Sequence, residues 1–105
     1  MEDEVYRETI QVNRLVHEPA RLAILAILSE VEEADFLYLL RLTGLTKGNL
    51  SAHLAKLEQA GYVDIQKRFL GKKPHTLCRL TPAGREALEA YLRWMQRFRE
   101  RTSAR

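Results

Sequence analysis

The chain has 105 residues and a formal net charge of +3, from 17 Lys and Arg against 14 Asp and Glu. Its 46% hydrophobic and 30% charged residues are the balance of a globular protein rather than a disordered one, and the length fits one domain, 1–105, whose thin stability margin a partner subunit would help. No apolar run approaches the roughly 20 residues that cross a bilayer, the acidic start Met1-Glu2-Asp3-Glu4 does not read as a secretory signal, and the lone Cys78 cannot close a disulfide within the chain, so the reducing cytoplasm is the expected compartment.

Residues 4–16 read as a helix. Val5, Thr9, Val12 and Val16 recur at helical spacing, and Ile10 and Leu15 widen the stripe. Pro19 suits the start of a second helix, about 19–30, where its missing N–H costs little. Arg21-Leu22-Ala23-Ile24-Leu25-Ala26-Ile27-Leu28 is apolar almost all round, as a central core helix is. Glu32 and Glu33 read as a solvated turn. Asp35 caps a short helix over 36–43, and Gly44 ends it because glycine takes the left-handed cap conformation without steric cost. Thr46 caps a helix over 47–60, with Leu50, Leu54 and Leu57 as its inward face and Gly61 as its stop.

Tyr62-Val63-Asp64-Ile65-Gln66 alternates apolar and polar, which predicts a half-buried strand over about 62–68. Phe69–His75 contains Gly71 and Pro74 and reads as a loop. Thr76-Leu77-Cys78-Arg79-Leu80 alternates again, a second strand over about 76–81 that completes a hairpin. Thr81 caps a last helix, about 82–100, with Pro82 at its first position. That helix carries Leu88, Leu92 and Met95 on one stripe and Tyr91, Trp94 and Phe98 beside it, with a frayed tail from Arg101.

The charge is unevenly spread. Residues 1–35 hold nine acids and three bases; residues 36–81 hold eight bases (Arg41, Lys47, Lys56, Lys67, Arg68, Lys72, Lys73, Arg79) and only Glu58 and Asp64 as acids. A basic central block points to a polyanionic partner. The element order supplies a context: a short helix, a tight turn containing Gly44 and a second helix form a helix-turn-helix pattern, followed by a hairpin in the position of a wing.

Thr46-Lys47-Gly48-Asn49-Leu50-Ser51-Ala52-His53-Leu54-Ala55-Lys56-Leu57-Glu58-Gln59-Ala60-Gly61-Tyr62-Val63 resembles the recognition-helix segment of small winged-helix transcriptional regulators of the MarR/ArsR type. Glu18-Pro19-Ala20-Arg21-Leu22-Ala23-Ile24-Leu25 resembles their first core helix, and Leu80-Thr81-Pro82-Ala83-Gly84-Arg85 their junction into the last helix. The resemblance covers about residues 13–95. It implies a winged-helix fold, mainly α with a small β-hairpin, homodimerisation and sequence-specific binding of double-stranded DNA.

With the leucines of 47–60 turned inward, the outer face carries Gly48, Asn49, Ala52, Ala55, Lys56 and Gln59, with Ser51 and His53 on the flanks. Gly48 and Ala52 let the backbone approach a groove floor, Asn49 suits an adenine edge, and Ser51 is permissive. His53 and Lys56 suit phosphates at the margin. Thr46 stands at the helix start, and Lys47 opposes the helix dipole in a way a phosphate neighbour would resolve. In the wing, Lys67, Arg68, Lys72, Lys73 and His75 fall within nine positions and suit the backbone or a minor groove.

Val5, Val12 and Val16 of the first helix, with Leu88, Tyr91, Leu92, Trp94, Met95 and Phe98 of the last, are expected to form a two-fold interface that sets half-site spacing. No two of His17, His53, His75 and Cys78 share a metal-ligand spacing, so neither a metal nor a cofactor is expected. Cys78, on an alternating strand, reads as a small core or edge residue. No nucleophile with a base and orienting group stands out, so no enzymatic activity is expected. An unidentified small-molecule effector between the dimerisation helices and the DNA-reading core stays open. So does the alternative that the same basic face docks an acidic partner protein.

Overall fold

The computed structural model describes residues 3–103; the start at Met1-Glu2 lies outside them. The elements run α1 (Glu4–Ile10), α2 (Pro19–Ser29), β1 (Ala34–Asp35), α3 (Phe36–Thr43), α4 (Lys47–Gln59), β2 (Val63–Leu70), β3 (Lys73–Leu80) and α5 (Pro82–Thr102). The strands form an antiparallel sheet in the order β1-β3-β2. Ile24, Leu25 and Leu28 of α2 are fully buried with Leu39 of α3, Leu50 and Leu57 of α4, Val63 of β2 and Cys78 of β3. The apolar helix is therefore the core around which the other elements pack, as its sequence requires.

The helix boundaries follow side-chain capping. Asp35 accepts from the Tyr38 amide, Thr46 from Asn49 and Thr81 from Gly84, at 2.7, 3.1 and 3.0 Å. Glu18 performs the same service for α2, accepting from the Arg21 amide at 2.8 Å. Gly44 closes α3 at φ 69°, in the left-handed region.

Three sequence expectations are corrected. The first helix ends at Ile10 rather than continuing to residue 16. Asn13 Oδ1 accepts from the amides of Leu15 and Val16 at 3.0 and 3.3 Å, a local alternative that competes with the helical ladder. The strands also extend through the expected loop, from Phe69 to His75, leaving only Gly71 and Lys72 as the turn between paired Leu70 and Lys73. Gly71 has φ +66° while no non-glycine among the described residues has a positive φ, the combination that a II′ hairpin turn requires. Pro74 is tolerated because Phe69 and Pro74 form the pair next to the turn-closing one. Its nitrogen then faces away from β2, and β1, which pairs only at Cys78 and Leu77, does not reach it. The last helix continues to Thr102 where 82–100 and a frayed tail were expected.

The protein measures 58 × 24 × 21 Å. Its 21-residue α5 accounts for ~31 Å of helix at 1.5 Å per residue. Helix α1 lies along α5: Trp94 Nε1 donates to Thr9 Oγ1 at 2.9 Å, and Arg97 pairs with Glu8. Among the described residues no helix is long and apolar enough to cross a membrane.

Candidate nucleic-acid interface

The turn between α3 and α4 is Gly44-Leu45-Thr46, so α4 leaves α3 at a fixed angle set by one left-handed glycine and one capping hydroxyl. Leu50, Leu54 and Leu57 turn into the core. The opposite side, with Lys47, Gly48, Asn49, Ser51, Ala52 and Lys56, is exposed, as is Thr46 at the helix start. Nothing lies within 4 Å of a Cβ built on Gly48, so open space stands in front of it.

His53 differs from its neighbours. It is half-buried, and its Nδ1 lies 3.1 Å from the guanidinium of Arg21 and 3.9 Å from the Glu18 carboxylate. Arginine only donates, so Nδ1 must supply the lone pair and the ring proton sits on Nε2. Arg21 is the buried charged residue of the core, 8% exposed, and it also donates to the carbonyls of Leu15 and Arg14 at 2.7 and 3.5 Å. This polar knot ties the α1–α2 turn, α2 and α4 together. The sequence signal for it is a single arginine inside an otherwise apolar helix.

Register divides the wing into two faces. Val63, Ile65, Lys67 and Phe69 share one with Leu80, Cys78, Thr76 and Pro74; Asp64, Gln66, Arg68 and Leu70 share the other with Arg79, Leu77, His75 and Lys73. The first face looks toward α4: Lys67, Ile65 and Thr76 line one open groove of about 500 Å³ with Lys47, Ser51 and Ala55. Helix and hairpin therefore address a common space. Lys72 and Lys73 stand exposed at the tip, and His75 is half-buried. Arg68 lies on the second face, where Glu33 holds both it and Arg79 at 3.1 and 3.2 Å. Glu33 was expected in a solvated turn; it bridges the loop before β1 to both long strands.

The aromatic stripe needs a correction. Val5, Val16, Leu88, Tyr91 and Trp94 are covered by their own chain, and Val12 and Phe98 are half-buried against them. The rings of Tyr91, Trp94 and Phe98 pack on one another, with centroids 5.5 and 5.4 Å apart, and the Tyr91 hydroxyl meets His17 Nδ1 at 2.7 Å. This seam closes α5 onto the rest of the chain. Of the expected interface residues only Leu92 and Met95 are exposed. Tyr6 and Ile10 of α1, which were not expected there, are exposed too, Ile10 at 75%.

A short helix, a three-residue turn, a second helix with an exposed polar face and a basic hairpin define a winged helix. The chain belongs to the winged helix DNA-binding domain family, whose pattern it matches over residues 20–99, from α2 into α5. It is 35% identical over 79 residues to the uncharacterized protein MJ0432 of Methanocaldococcus jannaschii, covering 75% of this chain and 86% of that one. The structure of a transcriptional regulator homologue protein from Pyrococcus horikoshii OT3 superposes with a TM-score of 0.86 at 27% identity, over 95% of this chain and 98% of the other. The transcriptional regulator BldR from Sulfolobus solfataricus shares the fold at a TM-score of 0.70 and 23% identity, over 96% of this chain and 76% of its own.

Proposed function

We propose that this protein is a sequence-specific, double-stranded DNA-binding transcriptional regulator that acts as a homodimer in the cytoplasm. Helix α4 enters the major groove of each half-site through Lys47, Gly48, Asn49, Ser51 and Ala52, with Thr46, His53 and Lys56 at the margins. The wing lies on the flanking backbone or minor groove through Lys67, Lys72, Lys73 and His75, with Arg68 beside them. The observation that carries this reading is the groove that Lys47, Ser51 and Ala55 on one flank of α4 share with Ile65, Lys67 and Thr76 of the wing, beside the exposed Gly48, Asn49 and Ala52. Exposed Tyr6, Ile10, Leu92 and Met95 support pairing of two chains through α1 and α5. Promoter occlusion is the simplest mode of action. An effector, where one exists, has room in the open cleft of about 420 Å³ between the α1–α2 turn, Tyr62 and α5.

Selection from a random duplex library, followed by fluorescence anisotropy on the recovered site, tests this reading. Wild type should bind with an affinity that falls steeply with salt, and Asn49→Ala should lose discrimination at one base position in each half-site. No binding to any duplex at low salt, with retention on an acidic protein partner, would reject it.

A further inference from the structure

The wing tip carries something that phosphate binding does not call for. Phe69 is 72% exposed at the end of β2, and Leu70 beside it is 64% exposed. A solvated hairpin tip has no use for a bare phenyl ring. Phe69 is also not on the outer side of the ribbon. It continues the row Val63-Ile65-Lys67, the face that lines the groove with α4, and its cross-strand partner is Pro74. The row thus runs from buried Val63 through half-buried Ile65 and cationic Lys67 to an apolar pair at the free end. Along the strands the pair stands between Lys67, on its own face, and Lys72 and Lys73 at the turn, with Lys73 on the opposite face, and the II′ turn at Gly71-Lys72 holds the two strands in register right up to it.

That composition fits a duplex better than a protein groove. Lysines on both sides draw the tip toward phosphates, and the rigid pair between them is apolar, the arrangement with which minor-groove proteins open a base step. We propose that Phe69, backed by Pro74, is a wedge that inserts at a base step in the minor groove beside the site read by α4. The wedge rests on the DNA-binding reading above and adds to it a second source of sequence preference. Pyrimidine–purine steps unstack most easily, so the site should favour TA or CA/TG at the wing position without any hydrogen bond to those bases.

The test uses full-length protein and the selected duplex, with 2-aminopurine placed at the step under the wing. Wild type should raise its fluorescence on binding. Phe69→Ala should abolish the rise and weaken binding about tenfold while leaving the salt dependence unchanged, because no charge is removed. Phe69→Trp should bind like wild type, and its added emission should be quenched by the bases. Wild-type binding with an unchanged Phe69→Ala variant overturns the wedge and leaves the DNA reading intact; failure of wild type to bind any duplex overturns both. A Phe69→Ala variant that changes the sedimentation of the free protein instead identifies the tip as a contact between copies, and also overturns the wedge.

Discussion

Arg21 and His53 sit 32 positions apart in the chain, yet the guanidinium of one donates to the imidazole of the other at 3.1 Å. The contact crosses from the core helix α2 to the flank of α4. It links the stability of the fold to the orientation of the exposed face of α4. Arg21→Met keeps the volume and the aliphatic stem but leaves the Leu15 carbonyl and His53 Nδ1 without their donor. The expected loss is about 2 kcal/mol of unfolding free energy, read by urea denaturation. His53→Ala, which leaves Arg21 its two carbonyls, should cost less.

Two glycines should respond in opposite directions to the same substitution. A Cβ on Gly84 would stand 2.1 Å from the Tyr62 carbonyl oxygen, which is backbone and already accepts from the Thr81 amide. Helix α5 would have to move off the hairpin, so Gly84→Ala is expected to destabilise by about 3 kcal/mol. Gly48 has open space before it and ordinary helical backbone. Gly48→Ala should gain up to ~1 kcal/mol from helix propensity, while the new methyl weakens duplex affinity. Thermal melts and anisotropy on the same two variants separate packing from recognition.

Much of this was legible in the sequence, for a physical reason. Asp35, Gly44, Thr46 and Thr81 act on their own neighbours, so local chemistry sets the boundaries of α3 and α4 and the start of α5. The apolar period of α2 and α4 placed the core leucines in the same way. What escaped was decided by partners distant in the chain. Strand β1 has two residues and no pattern of its own; it exists because β3 offers it an edge. Pro74 reads as a breaker until register shows that its nitrogen faces away from the neighbouring strand. The face of α5 turned to solvent could not be told from the face turned to α1, since both carry large apolar side chains.

Trp94 offers a readout of that α1–α5 seam, since it is the single tryptophan. Its indole N–H donates to Thr9, whose hydroxyl in turn donates to the Val5 carbonyl at 2.7 Å. Thr9→Val preserves shape and removes the acceptor, leaving a mostly buried N–H unpaired. It should cost about 1–2 kcal/mol and shift Trp94 emission, with α1 undocking before the winged-helix core in hydrogen exchange.

Cys78 should be chemically silent. It is fully buried in β3, and burial, reinforced by the negative charges of Glu58 and Asp35, pushes its thiol up to about 11 from 9.0. The thiolate is the reactive form, so Ellman's reagent at pH 8 should label native protein only at the rate of unfolding. The folded state holds its proton more tightly than the unfolded chain. The associated stability is complete below pH 9 and is lost as pH rises toward 11. Comparing the urea midpoint of wild type with that of Cys78→Ala over this range isolates the term, and the variant should show the shallower decline.

The wing cations should not contribute equally to DNA binding, although sequence makes them look alike. Lys72 and Lys73 stand at the exposed tip, whereas Arg68 shares the Glu33 carboxylate with Arg79 on the face turned away from α4. Each phosphate neutralised contributes ~0.9 to the slope of log K against log salt. Lys72→Ala/Lys73→Ala should therefore flatten that slope by about 2 per wing, with sequence preference retained. Arg68→Ala should change it less, because Arg68 faces away from α4 and is held by the carboxylate it shares with Arg79. Glu33→Gln should steepen the slope by releasing Arg68 and Arg79, and an equal effect of Arg68 and Lys72 replacements would show that the Glu33 bridge does not persist on DNA.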